Sequence, residues 1–237
     1  MTSFNYNPAS LRFEETDSSM VSGALSQNSV YAGQMDSLEQ IAYLIKKCSD
    51  CSLADGRKKA VPGEGNSHAI VMFIGEGPGF QEDHQGIPFV GSAGKLLDGL
   101  LESIGIKRED VFIANMVKCR PPGNRDPAPQ ELAACTKYLD RQIELVDPKL
   151  IVTLGRFAFG RYFPGEGITN ARGRLREKDG RKIFPVLHPA AVLRRNELMP
   201  TMIEDFEAIS KILKGDADGI GMDPIATERG SRGINLE

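Results

Sequence analysis

Four short apolar runs punctuate the chain: AIVMFI at 69–74, VFIAN at 111–115, LIVTLG at 150–155 and KIFPVL at 182–187. Each is too short for a helix and is bounded by polar or turn-forming residues, so each predicts a buried strand. Between them the period lengthens. Leu38, Ile41, Leu44 and Ile45 fall on one helical face, opened by Ser37 and Gln40 as a capping box. Ser92 reads as the N-cap of a helix whose stripe is Leu96, Leu97, Leu100, Leu101 and Ile104, ending near Gly105. Further helices are expected over residues 130–146, 156–162 and 199–213. Strands alternating with helices predict an α/β fold, a three-layer α/β/α sandwich around a central, mostly parallel four-stranded sheet. Ligands of such sheets bind beyond the carboxyl ends of strands, which directs attention to the loop after Ile74, to Asn115 and to His188.

The ends of the chain lack this periodicity. Residues 1–36 and 215–237 are rich in Ser, Asn, Gly and Asp and are expected to be disordered extensions of one domain over 37–214. They also change the charge picture. The whole chain of 237 residues carries −3, but Arg12 against Glu14, Glu15, Asp17 and Asp36 gives the first segment −3. Arg229 and Arg232 against Asp216, Asp218, Asp223, Glu228 and Glu237 give the last segment −3 as well, so the domain itself is +3. A mildly basic body suits a polyanionic partner without demanding one. No apolar run approaches the roughly 20 residues that span a bilayer, and MTSFNYNPAS has neither the basic nor the apolar part of a signal peptide. The expectation is a cytoplasmic protein with no membrane partner, in which four cysteines are ligands or free thiols rather than disulfides.

The segment GEGPGFQEDHQGIPFVGSAGKLL (75–97) looks at first like a phosphate cradle, yet Glu76, Glu82 and Asp83 would repel phosphate. A dinucleotide fingerprint would need glycine at 80, where Phe80 stands, and no Gly-Lys-Ser/Thr closes the loop. A zinc deaminase needs a His-x-Glu, which is missing. Cys48 and Cys51 form a C-x2-C pair, with Cys119 and Cys135 much later. Four thiolates suit a tetrahedral zinc or a four-iron cluster, and unconnected buried thiols are the alternative; spacing does not separate these.

Four segments carry a resemblance. GEGPGxxEDxxGxPFVGxAGxLL, NxVKCRPPxNRxP, PKLIVTLG and HPAAVLR resemble the family 4 uracil-DNA glycosylases, iron–sulfur members of the uracil-DNA glycosylase superfamily, from about Cys48 to Leu213. The resemblance implies a 4Fe-4S cluster on Cys48, Cys51, Cys119 and Cys135. It implies a monomeric repair enzyme, associated with the nucleoid if bacterial, that removes uracil from single- and double-stranded DNA. A related branch that binds uracil-DNA covalently uses a histidine between the Asn strand and the last cysteine; here CRPPGNRDPAPQELAAC has none. Other single-domain uracil glycosylases carry a water-orienting Asp where this chain has Gly77.

The chemistry explains the loop. Cleaving the glycosidic bond of deoxyuridine makes an oxocarbenium-like sugar and a uracil anion, so the loop would fold round a neutral base and a developing cation, not a phosphate. Gly75, Glu76 and Gly77 would bring backbone close to the base. Phe89 would stack on uracil, the alternative being a core aromatic. Asn115 can accept from uracil N3–H and donate to O4, or else merely form a strand-end turn. His188 would donate to O2 of the leaving anion, the alternative being a satisfied core histidine; His68 and His84 read as surface residues. Glu82 would crowd C5 and exclude thymine, or place water. Val192 and Leu193 would wedge into the duplex while Arg194 and Arg195 reach phosphates, with Arg120, Arg125, Arg172 and Arg174 as further phosphate contacts. Two other functions compete: a sister glycosylase of broader base scope, and a non-catalytic iron–sulfur DNA-binding module. The boundaries make a prediction. A chain trimmed of residues 1–34 and 216–237 should fold and, in a gel assay for abasic sites, cut uracil-DNA like the full chain; a trimmed chain that fails to fold would refute them.

Overall fold

The structure, a computed structural model, describes residues 35–215. Of the extensions expected at 1–36 and 215–237, residues 1–34 and 216–237 lie outside the described residues. The helices are α1 (Leu38–Lys47), α2 (Leu53–Gly56), α3 (Phe80–Gln85), α4 (Ser92–Ser103), α5 (Pro129–Val146), α6 (Arg156–Tyr162), α7 (Ile168–Ala171), α8 (Pro189–Arg194) and α9 (Met199–Leu213). The strands are β1 (Glu64–Gly65), β2 (Val71–Gly75), β3 (Phe112–Asn115), β4 (Leu150–Leu154), β5 (Arg176–Lys178) and β6 (Arg181–Val186).

These strands form one sheet in the order β1-β3-β2-β4-β6-β5. The middle four, β3, β2, β4 and β6, are parallel and are the four apolar runs. Short antiparallel strands extend both edges, so the sheet has six strands rather than the expected four. Both added strands are two or three residues long with mostly exposed side chains, so no apolar alternation marks them in the sequence.

The central strands are apolar throughout because both faces are covered. On one face Phe73, Val152 and Phe184 pack with Leu97 and Leu101 of α4 and Phe206 and Ile209 of α9. The rings of Phe73 and Phe206 stack with centroids 6.1 Å apart. On the other face Met72, Ile74, Ile151 and Ile183 meet Leu139, Ile143 and Val146 of α5 and Ala158 of α6. A third cluster joins α1 to α5 around Ile41, Ile45, Val117 and Tyr138. The capping box forms: the Ser37 hydroxyl accepts from the Gln40 N–H (3.3 Å), and Gln40 Oε1 accepts from the Ser37 N–H (3.1 Å). Ser92, expected as an N-cap, is instead the first residue of α4 after Gly91. Among the described residues no helix is long and apolar enough to cross a membrane.

One expected DNA contact is part of this scaffold instead. Arg172 donates to both carboxylate oxygens of Asp205 on α9, including an Nε–Oδ2 contact of 2.8 Å, and to the Thr201 carbonyl (3.1 Å). Asp205 is 1% exposed. Its burial pushes its pKa up, and Arg172 opposes that rise. Removing the guanidinium strands a buried carboxylate, so Arg172→Met should cost about 3 kcal/mol at neutral pH. The pH dependence follows from the sign: a carboxylate with a raised folded pKa lowers stability above that pKa, and the loss fades as pH falls towards its unfolded value. Denaturant midpoints of the variant and the parent should therefore draw together as pH falls from neutral towards the ordinary aspartate range.

Candidate active site

The parallel register assembles the site. Gly75 at the end of β2 lies opposite Asn115 at the end of β3, and Leu154 at the end of β4 lies opposite Val186 just before His188. A cavity of about 440 Å³ opens beyond these ends. Its lining includes Glu76, Gly77, Glu82, Phe89, Asn115 and His188.

Asn115 is 1% exposed, and its Oδ1 is buried with no hydrogen-bond partner. An unpaired buried acceptor costs about 1–3 kcal/mol, and of the unpartnered buried side-chain atoms this one belongs to a residue that lines the cavity. Gly75 makes the arrangement possible: a Cβ there would lie 2.4 Å from Asn115 Oδ1 and 2.7 Å from the Phe89 ring. Phe89 faces His188 with ring centroids 5.7 Å apart and planes 29° from parallel. An aromatic ring, an amide and an imidazole thus converge on one slot beyond the strand ends.

His188 is the N-cap of α8, and its Nδ1 accepts from the Ala190 N–H at 3.1 Å. That bond places the ring hydrogen on Nε2. Burial pushes the imidazole pKa down to about 4; the Arg194 charge adds to the shift and Glu82 works against it. The side chain is thus a neutral donor at pH 7.

The carboxylates divide by environment. Glu82 is 9% exposed, and both of its oxygens are engaged: Oε1 accepts from Val90 N–H (2.9 Å) and Gly91 N–H (2.8 Å), and Oε2 from Gly79 N–H (3.1 Å). It clamps the loop on either side of the slot. Glu76 is half-buried in the cavity lining. Burial raises its pKa, Asp126 adds to the rise, and Arg156 and Arg194 oppose it. At Gly77 a Cβ would lie 2.7 Å from Val117 Cγ2, so a larger residue would have to displace Val117.

The expected DNA contacts separate. Arg125 and Arg194 line the cavity mouth. Arg125 also grips Glu131 through two bonds of 2.6 and 2.8 Å. Arg120 donates to Asn124 (2.7 Å) and lies over the Phe80 ring. Arg195 pairs with Glu197 (3.0 Å) in the open, Leu193 is 45% exposed, and Arg174 is exposed. Val192 is corrected: it is fully buried in the core beneath α8, so it has no reach towards a duplex, and only Leu193 offers apolar bulk there. Arg156 was not expected. It follows Gly155 at the end of β4, a strand end at the same sheet edge as the other three, and lines the cavity with Asp126.

All four cysteines line one small cavity, with Arg57, Lys118 and Tyr138. Arg57 donates to Cys119 Sγ (3.1 Å) and the Lys118 N–H to Cys135 Sγ (3.3 Å). Burial pushes the Cys135 thiol up to about 11 and raises Cys51 and Cys119 too. Among the described residues no group of three or more His, Cys, Asp or Glu side chains is placed to hold a single metal ion. Lys118 joins the two sites. It is 1% exposed, and its ammonium donates to the Asn115 carbonyl (2.9 Å) and to Gln142 Oε1 (2.6 Å). A lysine beside a cysteine gives no sign of this in the sequence.

Comparison with known proteins agrees with the geometry. A profile of the uracil DNA glycosylase superfamily matches residues 62–214. The chain is 49% identical over 189 residues to the type-4 uracil-DNA glycosylase of Saccharolobus solfataricus, covering 76% of this chain and 88% of that one. It is 47% identical over 189 residues to the type-4 enzyme of Sulfurisphaera tokodaii, covering 75% and 86%. The type-4 enzyme of Thermotoga maritima is 45% identical over 182 residues, covering 75% and 95%.

The environment of His188 makes a direct prediction. Its depressed pKa keeps it neutral well below the usual histidine range. Nitrogen-15 NMR should show one neutral tautomer, protonated on Nε2, unchanged from pH 8 to pH 5. A titration near the ordinary histidine value would contradict the burial argument.

Proposed function

The chain belongs to the uracil DNA glycosylase superfamily, and from that premise we infer that it is a DNA repair glycosylase. It takes deoxyuridine out of the DNA stack and hydrolyses its N-glycosidic bond, releasing uracil and leaving an abasic site. The observation that carries this reading is the unpaired, buried Oδ1 of Asn115, set in a cavity it shares with Phe89 and His188. Uracil N3–H supplies the missing donor, and the same amide donates to O4. Cytosine presents the reverse pattern and leaves like groups facing each other.

Phe89 stacks on the base, and Gly75 lets base, ring and amide come together. As the bond from C1′ to N1 breaks, its electron pair leaves with uracil. The neutral His188 donates from Nε2 to O2, where the negative charge develops. Water adds to C1′ and gives up its proton. Glu76 is the carboxylate we assign to that water and to the developing sugar cation, since Gly77 has no side chain and both oxygens of Glu82 are bound to backbone. Glu82 therefore acts as a positioning residue. Arg125, Arg156 and Arg194 meet phosphates at the mouth, with Arg120, Arg195 and the exposed Leu193 farther out. We read uracil in single- as well as double-stranded DNA as the substrate. We read the enzyme as a cytoplasmic monomer, associated with the nucleoid if bacterial.

For the cysteines we propose a 4Fe-4S cluster on Cys48, Cys51, Cys119 and Cys135. The support is the motif resemblance, an all-sulfur donor set around one cavity, and N–H donors onto two of the sulfurs. The hydrolysis has no redox step, so the cluster's contribution is to cross-link α1, the loop after β3, and α5.

Two predictions follow from these roles. His188→Ala should lower the single-turnover rate on the order of a hundredfold, or roughly 3 kcal/mol, with DNA affinity little changed; Asn115→Asp should weaken uracil recognition and move residual preference towards cytosine. Wild-type single-turnover kinetics in His188→Ala would remove it from the mechanism. Protein purified without air should be brown and contain about four irons per chain, whereas stoichiometric zinc and no colour would overturn the cluster.

A further inference from the structure

Phe89 carries the flat wall of the slot on an unfavourable backbone. Its φ is +51°, in the left-handed region that non-glycine residues rarely occupy. Such a conformation persists only where its surroundings hold it. The carbonyls of this turn and its N–H groups are gripped from opposite sides. Glu82 takes the N–H groups of Val90 and Gly91. Arg108, from a turn just before β3, takes the carbonyls: Nη1 donates to Phe89 O (3.2 Å) and Nη2 to Pro88 O (2.5 Å). Nη1 also donates to Asp98 Oδ1 on α4 at 2.8 Å, which fixes the guanidinium plane. Helix α4 closes the third side, since a Cβ on Gly94 would lie 1.8 Å from the Phe89 carbonyl oxygen.

We propose that Arg108, anchored by Asp98, is a positioning residue for the reaction: it holds Phe89 in the stacking conformation and so sets the rate of base release. Arg108 does not line the cavity, and its charge is turned to Asp98 and two carbonyls of its own chain. Its effect on the reaction runs through Phe89. Only a planar fork reaches two carbonyls and a carboxylate together; the single ammonium of a lysine does not reproduce it. A ring that drifts by about 1 Å from its stacking position loses much of the advantage of a preformed slot. The inference rests on the uracil-excision reading of the same slot.

The test is a double-mutant cycle of Arg108→Ala and Phe89→Ala, read by single-turnover uracil excision, DNA affinity and melting temperature. Arg108→Ala should slow excision about tenfold to a hundredfold with DNA affinity unchanged. In the Phe89→Ala background the same substitution should change the rate by less than about twofold. Added guanidinium ion should restore part of the rate to Arg108→Ala and none to Phe89→Ala. If Arg108→Ala does not fold, Arg108→Lys and Asp98→Asn enter the same cycle, with the same expected loss of effect once Phe89 is gone. Additive effects on rate overturn the proposal, as does a loss of DNA affinity that accounts for the slower excision, which would make Arg108 a phosphate contact. A parent protein that excises uracil while the cycle is additive removes this inference alone; a parent that excises none removes the uracil reading with it.

Discussion

A side-chain oxygen shut away from water without a donor is unfavourable by about 1–3 kcal/mol, and the fold places one at Asn115, at the end of its central sheet. Much of the surrounding structure is arranged to keep it there. The parallel register sets Asn115 beside Gly75, the one residue type that leaves its amide room. The Lys118 ammonium holds the Asn115 carbonyl from below and is itself held by Gln142, which donates to Pro62 O at 2.8 Å. Burial pushes the lysine pKa down to about 8, yet that leaves it mostly charged at neutral pH. The backbone that carries the amide is thus held from within the protein, with its Oδ1 at the cavity.

Several ionic contacts among the described residues fix geometry. Glu82 and Arg108 hold the Phe89 turn from opposite sides. Arg172 neutralises Asp205 under α9. Glu131, 3% exposed, is held down to about 2, chiefly by its bonds to Arg125. It also accepts from the Ser52 hydroxyl (3.2 Å) and the Ala128 N–H (2.7 Å). Through Glu131 the cysteine-bearing turn at Cys51 is joined to an arginine at the mouth of the slot. The cysteine-bearing turn and the loop at the cavity mouth are thus braced together.

Much of this architecture is legible in the sequence. The four parallel strands, α1, α5, α6 and α9 are visible because burial on two faces or one imposes runs and periods that the order of apolar residues reveals. The strand ends then point to Asn115, His188 and the glycine loop, and the motif resemblance points to the four cysteines. The edge strands β1 and β5 and the short helices α3 and α8 carry little or no such period, being brief or mostly exposed.

What each charged side chain faces was not legible, since arginine reads the same whether it meets phosphate or a buried carboxylate. Arg172 and Arg194 are both plausible phosphate ligands by sequence; packing gives the first to Asp205 and leaves the second at the cavity. Val192 and Leu193 are adjacent and alike, but the 100° turn between neighbours on a helix buries one and exposes the other. The sequence by itself determined the layers, the strand ends and the chemical types gathered there. Only the tertiary structure decided the pairing of Arg108 with the Phe89 turn, Lys118 with Gln142 and Arg172 with Asp205, because these contacts join residues from separate elements whose meeting no local pattern records.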